Sequence, residues 1–214
     1  MKKLIKVILW VLFLSTQIYS QQLFAEAEFG VYKPQDEDYE FNNAARYGAN
    51  FGVTLQNDIQ VYAGYKLWSD NSSETDSDIG LTESVTRFNT LVLGGRKHFA
   101  LKNSKIGLRI GAEYIMSTAY EEDDLVDLDA LLELEGKGSG FSLEGGVVYN
   151  LDETLSVFAG VNYLMNDVVI DKIKLDGVSY TRQELGMSEA DATLDMNGLN
   201  LKISVSYSLA GLLE

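Results

Sequence analysis

Cysteine is missing from all 214 residues, which removes disulfide frameworks, thiolate metal centres and thiol nucleophiles from consideration. Histidine occurs once, so any nucleophile that needs an imidazole base has a single candidate, His98. The motifs G-x-S-x-G and H-E-x-x-H and a phosphate-binding loop are also lacking. Basic side chains are scarce, 17 Lys and Arg against 32 Asp and Glu for a net charge of −15. That balance excludes nucleic acid as a partner, because phosphate binding needs a basic footprint. Beyond residue 20 there is no run of about 18 apolar residues, so the rest of the chain is expected to have no transmembrane helix.

What is present begins with a leader. Met1, Lys2, Lys3 and Lys6 precede the apolar run Val7 to Leu14 and the more polar Ser15, Thr16 and Gln17, the build of a secretory signal peptide. Cleavage is expected after Ser20, leaving 21–214 as one domain, and no lipobox cysteine follows to carry a lipid anchor. One proline, nineteen glycines and many aromatics suit a single all-β domain.

Eight segments alternate apolar and polar residues with the period of two that marks a strand with one apolar face. The cleanest is Gly198 to Tyr207, with Leu199, Leu201, Ile203, Val205 and Tyr207 opposite Asn200, Lys202, Ser204 and Ser206. The others are Leu23 to Tyr32, Ala45 to Leu55, Ile59 to Trp68, Val85 to Phe99, Ser104 to Met116, Gly138 to Tyr149 and Thr154 to Leu164. In the fourth, Leu91, Leu93 and Phe99 share one parity while Phe88 and Val92 share the other, so its facing stays open, and Gly94-Gly95 is a candidate bulge. Short turns are expected at Gln56 to Asp58, Leu101 to Asn103 and Asn150 to Glu153. Long loops are expected at Lys33 to Ala44, Ser69 to Ser84, Ser117 to Lys137 and Met165 to Asn197. Within them, Leu125 to Leu134 suggests an ordered strand pair or helix, 168–170 with 173–175 a hairpin, and Thr181 to Glu189 a short helix.

Connections that alternate long and short match a transmembrane barrel with long extracellular loops and tight periplasmic turns. The polar face carries Gly30, Gly48, Gly52, Gly64, Gly107, Gly111, Gly140, Gly146 and Gly160, which would make room in a narrow lumen for Arg46, Arg109 and Tyr62. On the apolar face Tyr47, Tyr65, Tyr114 and Tyr163 fall at an outer level and Phe99, Tyr149 and Tyr207 at an inner one, the pattern of membrane-interface girdles. The expected fold is therefore an all-β, eight-stranded antiparallel up-and-down transmembrane β-barrel, its last strand closing on its first so that no edge meets lipid.

Taken together, the strand count, the loop alternation, Gly111 to Tyr114 and the closing Leu199 to Tyr207 resemble the small eight-stranded outer-membrane barrels, the OmpA/OmpX-like and opacity-protein group within the porin-like proteins. The resemblance covers about Gln21 to Leu209. It implies a Gram-negative envelope and a place in the outer membrane with loops at the cell surface. Because the chain continues from Ala210 to Glu214, Tyr207 becomes an internal candidate for the assembly signal.

Eight strands enclose only enough space for side chains, so a polar plug is expected from Glu26, Glu28, Glu113 and Glu144 with Arg46, Lys66, Arg109 and Lys202. Rearrangement of those pairs into an ion path is the alternative. Glu121 to Asp124 with Asp127, Asp129, Glu133 and Glu135 could gather Ca²⁺, but no EF-hand spacing is present and a solvated acidic surface is the favoured reading. His98, near the periplasmic end of strand four, is read as an interface residue. No catalytic residue, metal or cofactor is assigned. The function expected is non-enzymatic: surface interaction or adhesion, or envelope integrity, through acidic extracellular loops. The expected partners are outer-membrane lipid and an extracellular ligand of the loops, the chain itself being a monomer. A small porin or channel and a soluble periplasmic lipocalin-like barrel are the alternatives.

Overall fold

The computed structural model describes residues 22–35, 44–76, 80–102 and 104–209. The expected leader and the segment from Ala210 to Glu214 lie outside the described residues. Ten strands form one antiparallel sheet: β1 Gln22–Pro34, β2 Ala44–Thr54, β3 Ile59–Asp76, β4 Gly80–Ala100, β5 Ile106–Leu125, β6 Ala130–Asn150, β7 Leu155–Leu175, β8 Val178–Thr181, β9 Thr193–Asp195 and β10 Gly198–Ser208. Each of β1 to β7 pairs with the next, and β10 pairs with both β7 and β1, which closes a ring of eight. The seam between β1 and β10 runs in unbroken register from Phe24 opposite Ser208 to Pro34 opposite Gly198.

The alternation turns inside out relative to a soluble core. Along β10 Leu201 is 59% exposed and Ile203 57%, whereas Asn200 and Lys202, which alternate with them, are buried. Leu93, Ile110, Phe141 and Leu143 show the same outward exposure on β4 to β6. A continuous apolar belt of this extent on a monomer marks a surface made for lipid or a partner.

Strand four is resolved by its neighbours. Leu91, Leu93 and Phe99 face outward, while Phe88, Val92 and Arg96 face inward and are buried. Gly94 and Gly95 lie opposite Tyr62 and Val61 on one side and Glu113 and Ala112 on the other in continuous register, so the expected bulge is absent there. The register shift falls instead between Glu135 and Gly136 on β6, where β7 carries one extra residue, Asp171.

The long loops are shorter than expected because the strands continue through them. β4, β6 and β7 are each 21 residues long, roughly 70 Å at about 3.3 Å per residue, against an apolar band of about 25 Å in an outer-membrane barrel. Leu125 to Leu134 is indeed a strand pair, the end of β5 returning as β6. The segment from Val168 to Leu175 prolongs β7, and β8 returns against it through Asp176 and Gly177. Thr181 to Glu189 is not a helix. The Thr181 and Glu184 side chains each accept the other's backbone N–H, as at a helix start, but Gly186 then adopts a φ of 69° and ends the segment after one turn. At the opposite end, Gln56–Asp58 turns tightly with Asn57 and Asp58 at positive φ, a region that Asn and Asp tolerate best among residues with a side chain.

Candidate functional site

The inward-facing polar side chains of the barrel wall assemble into one alternating chain of charge. Glu26 accepts from Arg96 Nη1 at 2.6 Å and from Arg109 Nη1 at 2.7 Å. Arg109 reaches on to Glu144, its Nε 3.0 Å from Oε1 and its Nη2 donating to Oε2 at 3.3 Å. Lys202 joins Glu144 at 2.6 Å to Glu28 at 3.4 Å, and Lys66 joins Glu28 at 3.1 Å to Glu113. Tyr62 and Ser142 donate hydroxyl hydrogens to Glu113, and Asn50 bridges Glu26 and Glu28 with its amide, 3.1 Å from each. Every residue of this network is buried, where an unpaired charge would be strongly unfavourable.

Arg96 is the member that sequence reasoning left out, because the facing of β4 was open. Its signal lay in the exposed parity of Leu91, Leu93 and Phe99, which puts the even-numbered residues inside. With Arg96 included, the chain holds five cations, Arg46, Lys66, Arg96, Arg109 and Lys202, against four carboxylates. Arg46 is the least engaged of them. Its Nε stands 4.0 Å from Glu28, its guanidinium lies over the Trp68 ring at 4.9 Å, and its Nε and Nη2 make no hydrogen bond among the described residues. Arg109, whose partner the sequence left unassigned, lies between Glu26 and Glu144, over the Phe158 ring at 3.4 Å.

Glycines supply the space, for Tyr62 as expected and for Phe158, but not for Arg46 and Arg109. A Cβ at Gly94 would overlap the Tyr62 ring, and one at Gly146 or Gly160 would overlap Phe158; Arg46 and Arg109 are not the nearest neighbours of any inward glycine. Above the charges the interior changes character. Tyr32, Trp68, Phe88, Val92, Ile115, Leu164 and Val168 form a buried apolar cluster. Trp68 sits between Tyr32 at 4.4 Å and Phe88 at 5.9 Å between ring centroids. Met196, from the last connection, is buried in the same cluster, and its carbonyl accepts the Tyr32 hydroxyl at 2.8 Å.

His98 corrects another expectation. It faces the lumen rather than lipid, lining a polar cavity of about 130 Å³ at the periplasmic mouth with Gln60, Glu153, Ser206 and other polar groups. The acidic residues 121–135 do not converge on one point either. β-strand alternation sends Glu121 and Asp123 inward and Glu133 and Glu135 outward, where Lys174 and Lys172 pair with them at 2.5 and 2.8 Å. Asp127 instead holds the Leu81 amide at 3.1 Å. Burial among these strands, reinforced by the charge of Asp123, pushes the Glu121 carboxyl up to about 7.

On the outer wall Tyr47, Tyr65, Tyr114 and Tyr163 are exposed toward the loop end of the belt and Phe99, Tyr149 and Tyr207 toward the turn end. Two aromatics that the sequence reading did not assign join the first group: Phe29 stacks on Tyr47 at 6.4 Å and Phe141 packs on Tyr114 at 5.4 Å.

No family model matches the sequence, and no curated protein matches it. Solved structures do match. The major outer membrane protein from Thermus thermophilus aligns at a TM-score of 0.60 and 12% identity over 89% of this chain and 100% of that one. The outer membrane protein OprG from Pseudomonas aeruginosa gives 0.57 and 15% over 88% and 96%. Neisserial surface protein A gives 0.52 and 13% over 87% and 96%. Likeness at these identities establishes the fold, that of the small eight-stranded outer-membrane β-barrels.

Proposed function

We propose that this chain, built on the fold of the small outer-membrane barrels, is a non-enzymatic integral protein of the outer membrane with a closed lumen. It acts through its extracellular sheet, in surface interaction or adhesion or in envelope integrity. The filled interior carries this reading. Charged pairs occupy the periplasmic half and the Trp68 cluster the outer half, leaving the strand extensions beyond the belt as the part able to meet a partner. In the same proposal residues 1–20 are a leader removed after Ser20. The outward tyrosines and phenylalanines sit at the two lipid interfaces, and the barrel is a monomer in lipid. The inward placement of His98 at the periplasmic mouth, far from the extracellular rim, supports the non-enzymatic assignment.

Conductance across planar bilayers tests the closed lumen. Purified protein is expected to give no steady single-channel current, and its appearance would favour a small channel instead. Stable solubility of residues 21–214 without detergent would favour a soluble ligand-binding barrel. N-terminal sequencing of the protein recovered from outer membranes checks the cut after Ser20.

A further inference from the structure

The outer wall of the barrel carries a groove that the proposed function does not use. Its upper part is a cavity of about 270 Å³ lined by Asn89, Thr118, Tyr120, Lys137, Asp171 and Lys172 with their neighbours. Its lower part, about 530 Å³, shares Asn89, Thr118 and Lys137 and continues down over Tyr65, Leu91 and Met116. Register explains the level: Asn89 pairs with Thr118 and Thr118 with Lys137, one outward step above Leu91 and Met116. The groove therefore starts in the lipid-facing belt and ends in the first polar rung above it.

The bulge shapes the upper part. Because Glu135 is opposite Lys172 and Gly136 opposite Ile170, Asp171 has no partner on β6. Asp171 and Lys172 are consecutive residues and both exposed, which unbroken strand alternation would not give. Bulges often re-aim side chains in this way. Lys172 is neutralised by Glu135 at 2.8 Å. Lys137 and Asp171 have no ion pair among the described residues, so one free cation and one free carboxylate line the same cavity. Asn89 accepts the Tyr65 hydroxyl at 2.8 Å through Oδ1, leaving its amide nitrogen to donate.

We propose that this groove binds one lipid of the surrounding leaflet whose headgroup carries both a phosphate and an amine. Lys137 and the Asn89 amide take the phosphate, Asp171 takes the amine, and the first part of an acyl chain lies over Leu91, Met116 and Tyr65. Charge complementarity selects the headgroup, and continuity with the apolar belt selects a lipid over a free anion. The inference rests on the membrane reading above.

Native mass spectrometry of the barrel, refolded in a non-ionic detergent, tests it with three lipids of identical acyl chains. Dioleoylphosphatidylethanolamine is expected to be retained at one per barrel, ahead of dioleoylphosphatidylglycerol and well ahead of dioleoylglycerol. Lys137→Gln should weaken phosphatidylethanolamine retention about tenfold, the loss of one charge-assisted contact of about 1.4 kcal/mol. Asp171→Asn should bring it down to the level of phosphatidylglycerol. Lys33→Gln, on the exposed side of β1, should change nothing. Equal retention of the three lipids, or a loss in Lys33→Gln as large as in Lys137→Gln, overturns the proposal. Bromolipid quenching of a label at position 110 in bilayers made from the same preparation reports independently on membrane insertion, so failure of the groove and failure of the membrane reading are separate results.

Discussion

Lys66 Nζ lies 2.5 Å from Glu113 Oε1 inside the barrel, with neither side chain reached by solvent, and the same ammonium is 3.1 Å from Glu28. One cation thus ties β3 to β1 and to β5, across the barrel axis. Glu26, Glu28 and Glu144 are each shared between cations in a similar way, so the lumen behaves as one connected unit in which the worth of a residue depends on what it leaves behind.

Arg109 and Arg46 are expected to differ sharply for that reason. Arg109→Leu leaves Glu26 and Glu144 short of a cation and should cost about 3–5 kcal/mol. Arg46 is the fifth cation against four carboxylates and sits 4.0 Å from Glu28. Arg46→Met removes an under-partnered charge and should be near neutral or stabilising. Urea unfolding of the refolded barrel, with fluorescence as the readout, compares the two; equal losses would contradict the unequal partnership.

Space in the lumen predicts a second effect. Gly160 lies against the Phe158 ring and the Gly146 backbone, so Gly160→Leu must displace the ring over which Arg109 stacks. Overpacking typically costs about 1–3 kcal/mol, and the same unfolding assay should show at least that. Gly145, whose added Cβ would meet nothing within 4 Å, is the matched control, and Gly145→Ala should change stability little.

Facing is tested most directly by quenching. Since the chain has no cysteine, Ile110→Cys allows a single fluorophore on the outward face, which brominated acyl chains should quench. In the protein lacking residues 1–20, Trp68 is the single tryptophan; being buried in the lumen, it should resist the same quencher. Ile110→Arg should cost about 2–4 kcal/mol at midplane depth. No quenching at 110, or quenching of Trp68, would invert the assignment of faces.

Glu121 predicts a dependence on pH in the extracellular sheet. Its carboxyl, raised to about 7 by burial and then by Asp123, binds a proton more readily folded than unfolded. Both states are protonated at pH 4 and below. Stability should therefore fall as pH rises from the unfolded value of about 4.3 through 7, and stay low above it. Thr86 on β4 and Leu134 on β6 lie opposite it in register and offer no cation. Glu121→Gln should match the native protein at pH 4 and exceed it at pH 8, in the urea midpoint or in hydrogen exchange of the β5 and β6 amides. A variant less stable at pH 8 would mean that the carboxylate is favoured there.

Local pattern alone determined the number of barrel strands, their turns and the inward set Glu26, Glu28, Arg46, Lys66, Arg109, Glu113, Glu144 and Lys202. Within the lipid belt one face must be apolar and the other polar, so the period of two is written into the residues. Above the belt the outward face meets water instead of lipid and need not be apolar, the alternation lapses, and segments such as Ser69 to Asp76 and Ser117 to Leu125 read as loops although they are paired strands. Backbone hydrogen bonds to a neighbour hold them, and such bonds leave little trace in side-chain type. Tertiary structure also decided the facing of β4, and with it the entry of Arg96 into the network, because Gly94 and Gly95 blur the parity that the partner strands β3 and β5 impose. Which cation met which carboxylate was decided in the same way. Arg109 shares a strand with Glu113, yet it meets Glu144 on the adjacent strand β6 and Glu26 on β1, which ring closure brings toward it across a lumen only a few side chains wide.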